Sequence, residues 1–261
     1  VVEKNSYISR HRKDMLLTNE NGEPVPAGCN WSGSFALDIY NPDVVKYLER
    51  VFDTVLNKWG FDLVKLDFLY AACIIPHNGK TRGEVMNDAM QLLRRLVGDK
   101  LILGCGVPLA SAFGVVDYCR IGCDVGLNWN DNMIMQLTHR ERVSTKNSML
   151  NTIFRRQLDG RAFLNDPDVF LLRDDNISLK GIQKQALAIV NNLFGSVYFT
   201  SDDMLAYSDK QKKVLDYAAS LRGCTYEDVK ISGGSVFFTY TRNGKKTTAE
   251  LSPNGNIHVI K

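Results

Sequence analysis

Residues 61–70, FDLVKLDFLY, form the stretch that decides the fold. The run is almost continuously apolar and short, as expected of a strand buried on both faces, and parallel sheets are built from such strands. Two polar residues interrupt it. Lys65 and Asp67 stand two apart, so a strand points both to the same side. Immediately upstream lies a helix. Asn41-Pro42-Asp43 supplies a capping side chain, a proline for the first turn and an acid for the positive end of the helix. Val44, Val45, Leu48, Val51, Phe52, Val55 and Leu56 then recur at helical spacing, and Gly60 ends the run.

The same alternation continues outward. A helix near 81–97, with Val85, Met86, Ala89, Leu92, Leu93 and Leu96, stops at Gly98 and precedes the strand LILGCG. VVDYCRIGCDV reads as a strand running into a loop. A helix near 145–158 ends at Gly160 before RAFLNDPDVFLL. A helix over 178–194 leads through Gly195 into SVYFTSDD. Ser208 with Gln211 makes a capping-box pattern that opens a last helix to Gly223. Helix and parallel strand in turn predict an α/β fold, and polar residues gathered at strand ends predict a (β/α)8 TIM barrel. Five strands are visible where a closed barrel needs eight, and VVEKNS is the possible tail of one more. An exposed parallel edge is an aggregation hazard, so we expect the barrel to be N-terminally incomplete in this chain, which starts at Val1 without an initiating Met.

From 224 the period changes. VKISGG, SVFFTYTR, KKTTAELS and NIHVIK are β-rich, with Asn243-Gly244 and Asn254-Gly255 as hairpin turns. The expected organisation is therefore a barrel portion over 1–223 and a small antiparallel β domain over 224–261.

Hydrophobic residues make up 44% of the 261 and charged residues 23%, the composition of an ordinary folded protein. A net charge of +3, with the basic residues scattered, gives no reason to expect a nucleic-acid partner. No apolar run is long enough for a membrane span. The six cysteines, Cys29, Cys73, Cys105, Cys119, Cys123 and Cys224, form no CxxC pair, and His11, His77, His139 and His258 have no metal-ligand spacing. No metal or other cofactor is expected, and reduced thiols fit a cytoplasmic location.

Polar residues cluster where strands end: Lys65 and Asp67, Cys105, Arg120 and Asp124, Asn165 and Asp166, Asp202 and Asp203. That edge is the working face of a parallel barrel. Arg120, Gly122 and Asp124 share parity if their strand extends that far, and Gly122 is then expected to leave open space. The competing reading is structural, each carboxylate capping a helix or pairing with a nearby cation. For Asn165, Asp166 and Asp168 the structural role is preferred. Trp31 and Trp129 are candidates for stacking on a sugar face, and Trp59 belongs to the apolar helical pattern as core.

Taken together, AGCNWSGSFALD, VKLDFLYAA, LILGCGVPLASAFG, DYCRIGCDV, FLNDPDVFLLR and TSDD resemble, in order and over most of the chain, the α-galactosidases of glycoside hydrolase family 36, which share a clan with family 27. The resemblance implies a retaining α-glycosidase acting on α-galactoside oligosaccharides. It assigns Asp67 as nucleophile and Asp124 as general acid/base. It places Lys65, Cys105 and Arg120 against the sugar, and Trp31 in a substrate-side loop. For Cys105 a buried small hydrophobe is an equal alternative. In that family the aspartates that recognise the galactose 4- and 6-hydroxyls lie on an early barrel strand, and a large N-terminal β-sandwich is usual. Neither is expected within these residues. A homo-oligomer of the full-length protein stays open. The rival readings are α-N-acetylgalactosaminidase or galactosyl transfer within the same clan, a non-catalytic carbohydrate-binding fragment, and a Schiff-base lyase using Lys65.

Overall fold

The computed structural model describes residues 1–28, 32–138 and 142–260. They form two compact units, Val1–Cys119 and Arg120–Lys261.

The first unit begins with β1 (Val2–Glu3) and α1 (Tyr7–His11). β2 (Pro26–Gly28) and β3 (Ser34–Phe35) join β1 in a small antiparallel sheet in the order β1-β3-β2. VVEKNS thus does supply a strand, but its described pairing is antiparallel, to β3. α2 (Pro42–Phe52) is capped as its sequence asks, with the Asn41 side chain accepting from the Asp43 N–H at 2.8 Å. Beyond Phe52 the helix widens over Asp53–Lys58, where the Trp59 N–H reaches back to the Thr54 carbonyl. Gly60, at φ 75°, then turns the chain into β4 (Leu63–Leu66). Trp59 falls on this widened end and is 67% exposed, so its expected place in the core is not where it lies. The wider turn rotates the last residues off the apolar stripe.

α3 (Arg82–Val97) opens with a capping box between Thr81 and Glu84 and closes at Gly98, φ 64°. Its buried face carries Val85, Met86, Ala89 and Met90. Each large apolar side chain buried this way contributes about 1.5–3 kcal/mol. β5 (Leu101–Gly104) pairs in parallel with β4, Lys65 lying opposite Leu103. β6 (Tyr118–Arg120) pairs in parallel with β5, and its last residue opens the second unit.

In the second unit the Ile121 N–H donates to the Asp166 carbonyl of β7 (Leu164–Asp166). Among the described residues four α-helices belong here: α4 (Met133–Thr138), α5 (Thr145–Phe154), α6 (Gly181–Phe194) and α7 (Asp209–Ala219). SVYFTSDD is not a continuous strand; a single parallel bridge joins Thr200 to Phe170. The tail is antiparallel as its turns require. β8 (Thr225–Ser232), β9 (Ser235–Arg242), β10 (Lys245–Leu251) and β11 (Ile257–Val259) lie in the order β11-β10-β9-β8. Asn243 and Gly244, at φ 50° and 76°, form the turn that suits a two-residue hairpin. The tail shares its core with the helices, since Phe238, Tyr240 and Leu251 pack in one cluster with Leu187, Val190 and Leu221. None of the five described cysteines is in a disulfide. No described helix is long and apolar enough to cross a membrane.

Candidate active site

Lys65 and Asp67 stand where β4 ends. Val64 is buried while Lys65, on the strand, and Asp67, one residue past its end, are both exposed. Both line a cavity of about 250 Å³ whose other walls are largely apolar, among them Leu37, Val44, Phe52 and Met86. Asp67 owes its orientation to the backbone. The Phe68 N–H donates to its Oδ1 at 2.7 Å, and Phe68 itself sits at φ 56°, in the left-handed region. A bulky side chain there costs on the order of 1–3 kcal/mol, and such conformations cluster at functional sites.

Cys105 follows β5 and is buried, its N–H donating to the Leu66 carbonyl at 2.8 Å. Next to it Gly106 adopts φ 60°, and a β-carbon there would lie 3.2 Å from Phe68 Cα and 3.5 Å from Asp67 Oδ1. The Gly106 carbonyl accepts from the Tyr70 N–H at 2.7 Å, tying the two strand ends together. The first unit thus gathers Lys65, Asp67 and Cys105 on neighbouring strand ends. The sequence alone flags neither Phe68 nor Gly106. The glycines of the GCG triplet are the signal available for a close approach of backbone there.

In the second unit the strand stops at Arg120, so parity does not carry to Asp124. The two meet all the same, by an ion pair of 2.8 Å. Arg120 is buried and also reaches Asp166 at 3.2 Å and Asp168 at 2.7 Å. Asp166 is fully buried, whereas the Asp124 side chain is 74% exposed. Burial pushes the Asp168 carboxyl above the ordinary carboxylate range, against the pull of Arg120 and of the backbone N–H groups of Val125 and Val169. Gly122 does not open a space: a β-carbon there would lie 2.9 Å from Asn151 Cβ, so the glycine makes room for α5.

Asn165, Asp166 and Asp168 cap no helix, since α6 begins only at Gly181. Asp202 is a structural anchor, accepting from the Leu172 and Arg173 N–H groups at 2.5 and 3.0 Å and from the Tyr207 hydroxyl at 2.7 Å. Asp203 caps a short turn through the Leu205 N–H. The Trp129 indole N–H donates to the Pro253 carbonyl at 3.0 Å, and its ring leaves no room for a β-carbon at Gly255. It pins the turn before β11. Trp31 lies outside the described residues. Among the described residues no cluster of three or more His, Cys, Asp or Glu is arranged to hold a metal.

No protein-family model matches the chain. Solved structures do. An α-galactosidase from Thermus thermophilus, in complex with stachyose, is 30% identical at a TM-score of 0.73, over 83% of this chain and 47% of that one. The same enzyme with p-nitrophenyl α-D-galactopyranoside matches 94% of this chain and 49% of its own at TM-score 0.77 and 26% identity. α-Galactosidase I from Mortierella vinacea, 15% identical, shares the fold at TM-score 0.60, over 87% of this chain and 59% of its own. The chain therefore spans about half the length of the Thermus enzyme. The fold is of the TIM-barrel glycosidase type. Within that class the chain is similar, over most of its length, to α-galactosidases of the melibiase-like, glycoside hydrolase family 36 type.

Proposed function

We propose that the protein is a retaining α-galactosidase that hydrolyses terminal α-galactosides of oligosaccharides. The reading is carried by the likeness to the Thermus enzyme, an α-galactosidase seen with stachyose and with a nitrophenyl α-galactoside. The placement of Lys65, Asp67 and Cys105 on neighbouring strand ends supports it. The same likeness favours neither the Schiff-base reading of Lys65 nor a purely binding fragment.

In the proposed reaction the Asp67 carboxylate attacks the anomeric carbon as the bond to the leaving oxygen breaks. Asp124 gives that oxygen its proton. A β-galactosyl ester on Asp67 results. Asp124, now ionised, takes a proton from water, the water oxygen attacks the same carbon, and the Asp67 carboxylate leaves. Two inversions return the α configuration. Lys65 supplies a cation and hydrogen-bond donors beside the sugar, Cys105 a small wall, and Trp31 an aromatic surface on a substrate-side loop. Arg120 is assigned to the sugar-facing set by resemblance. Since its guanidinium is engaged by three carboxylates, we place its main weight on holding Asp124.

We further propose that residues 1–223 are the later part of a (β/α)8 barrel and 224–261 an appended β domain, and that the protein works in the cytoplasm with reduced thiols. The deciding experiment is a panel of nitrophenyl α-glycosides, with the first-formed sugar followed by proton NMR. Turnover of the α-galactoside with α-galactose as first product is expected. β-Galactose as first product, or preference for α-N-acetylgalactosaminide, would overturn the reading.

A further inference from the structure

Asp124 is the exposed end of a chain of contacts that runs into the interior. Arg120 spreads its fork over three carboxylates: Nη1 on Asp124 at 2.8 Å, Nε on Asp166 at 3.2 Å and Nη2 on Asp168 at 2.7 Å. The guanidinium is planar, so fixing two of its nitrogens fixes the third. Asp168 also reaches the same loop a second time. Its Oδ2 accepts from the N–H of Val125, the residue after Asp124, at 2.6 Å. Asp124 is therefore held through its own carboxylate and through the peptide that follows it.

The shelf beneath is immobilised. Asp166 Oδ1 accepts from the Asp168 N–H at 2.8 Å, and Asp168 sits at φ 75°, a left-handed conformation that aspartate adopts more readily than most residues. The Asn191 side chain donates to the Asp168 carbonyl at 3.1 Å. Pro167 packs so close to Gly195 that a β-carbon on the glycine would lie 2.8 Å away. Beyond the fold itself, the charge count calls for an explanation. Among the described residues one guanidinium faces three carboxylates, two of them buried, and two buried acids around one cation are a poor way to gain stability. The crowded carboxylates and their fixed backbone are both explained if the shelf exists to aim something.

We propose that Asp166 and Asp168 are positioning residues, which set the direction in which Asp124 delivers its proton by locking Arg120 and the peptide after Asp124. The inference rests on the reading of Asp124 as general acid/base. A positioning defect in an acid shows in the leaving group. A sugar leaving group needs the proton; dinitrophenolate departs without it. In the full-length protein, Asp168→Asn keeps an oxygen for the Val125 N–H and loses the charge that grips Arg120. Its kcat/KM should fall at least about tenfold more on an α-galactosyl disaccharide than on dinitrophenyl α-galactoside. Arg120→Lys, which keeps the charge without the fork, should show the same split and serves if Asp168→Asn does not fold. Hydrogen exchange gives a readout free of activity: the Val125 amide should lose protection in Asp168→Ala and keep most of it in Asp168→Asn. Equal losses on the two substrates, or an unchanged Val125 amide in Asp168→Ala, would overturn the proposal. If the wild-type protein hydrolyses neither substrate, the glycosidase reading fails, and the amide measurement alone decides whether the lock exists.

Discussion

The two units present a carboxylate in the segment after a strand in opposite ways. Asp67 is aimed by backbone. A left-handed Phe68 donates its N–H to the carboxylate, and Gly106 comes within van der Waals reach because it has no side chain. Among the described residues Asp67 is in no ion pair within 4 Å. Asp124 is aimed by charge, through a buried guanidinium tied to Asp166 and Asp168. In the proposed chemistry a nucleophile must keep its carboxylate unencumbered to bond to carbon. An acid/base must be steered while its charge changes twice in each cycle. Backbone aim suits the first task and a network of charges the second.

The strongest way to break this comparison is at Asp67 itself. Asp67→Asn removes the nucleophile while leaving an oxygen for the Phe68 N–H, so the fold should survive and turnover should drop by about three orders of magnitude or more. Asp67→Gly should recover part of its activity with azide and yield a β-galactosyl azide. Near wild-type turnover in Asp67→Asn would remove Asp67 from the mechanism altogether.

Next in size is a test of backbone aim. Gly106→Ala places a β-carbon 3.2 Å from the Phe68 backbone, at a φ of 60° that alanine tolerates poorly. The expected cost is about 1–2 kcal/mol in thermal or urea unfolding. Activity should fall with it, because a small shift of Phe68 carries Asp67 along. A variant as stable and as active as wild type would show that Asp67 does not depend on that close approach.

Much of this was legible before the structure, and unevenly so for physical reasons. Elements with their own local signals came through: Asn41 before α2, Gly98 after α3, Ser208 with Gln211 before α7, and Asn243-Gly244 between β9 and β10. The shared exposure of Lys65 and Asp67 was legible because alternation along a short strand and its next residue needs no tertiary information. What failed needed a partner distant in sequence. Gly122 was expected to face open space because nothing local says that Asn151 packs on it. Trp59 looked apolar and regular, but the helix widens just before it and turns it outward. For Asp166 and Asp168 the local sequence names no partner, because Arg120 lies on another strand. Their spacing of two, like that of Lys65 and Asp67, was the available signal.

The smallest expected effect probes the charge network through stability alone. Burial raises the Asp168 carboxyl above its ordinary range in the folded protein, and the pull of Arg120 recovers only part of that. In the window between the ordinary carboxylate value, about pH 4, and the raised folded value, the native state holds a proton that the unfolded chain has released. The contribution of Asp168 to stability must then fall as pH rises through that window and level off above it. Asp168→Asn carries no proton to lose there, so this contribution should be missing from the variant, and the difference between the two proteins isolates it. Urea midpoints taken from about pH 4 to pH 7 for both proteins give the difference directly. A wild-type advantage that shrinks with rising pH is the expected result. An advantage that grows with pH would mean that the ion pair to Arg120 outweighs burial. Asp168 would then be an ordinary stabilising salt bridge, and the excess charge beneath Asp124 would need no functional explanation.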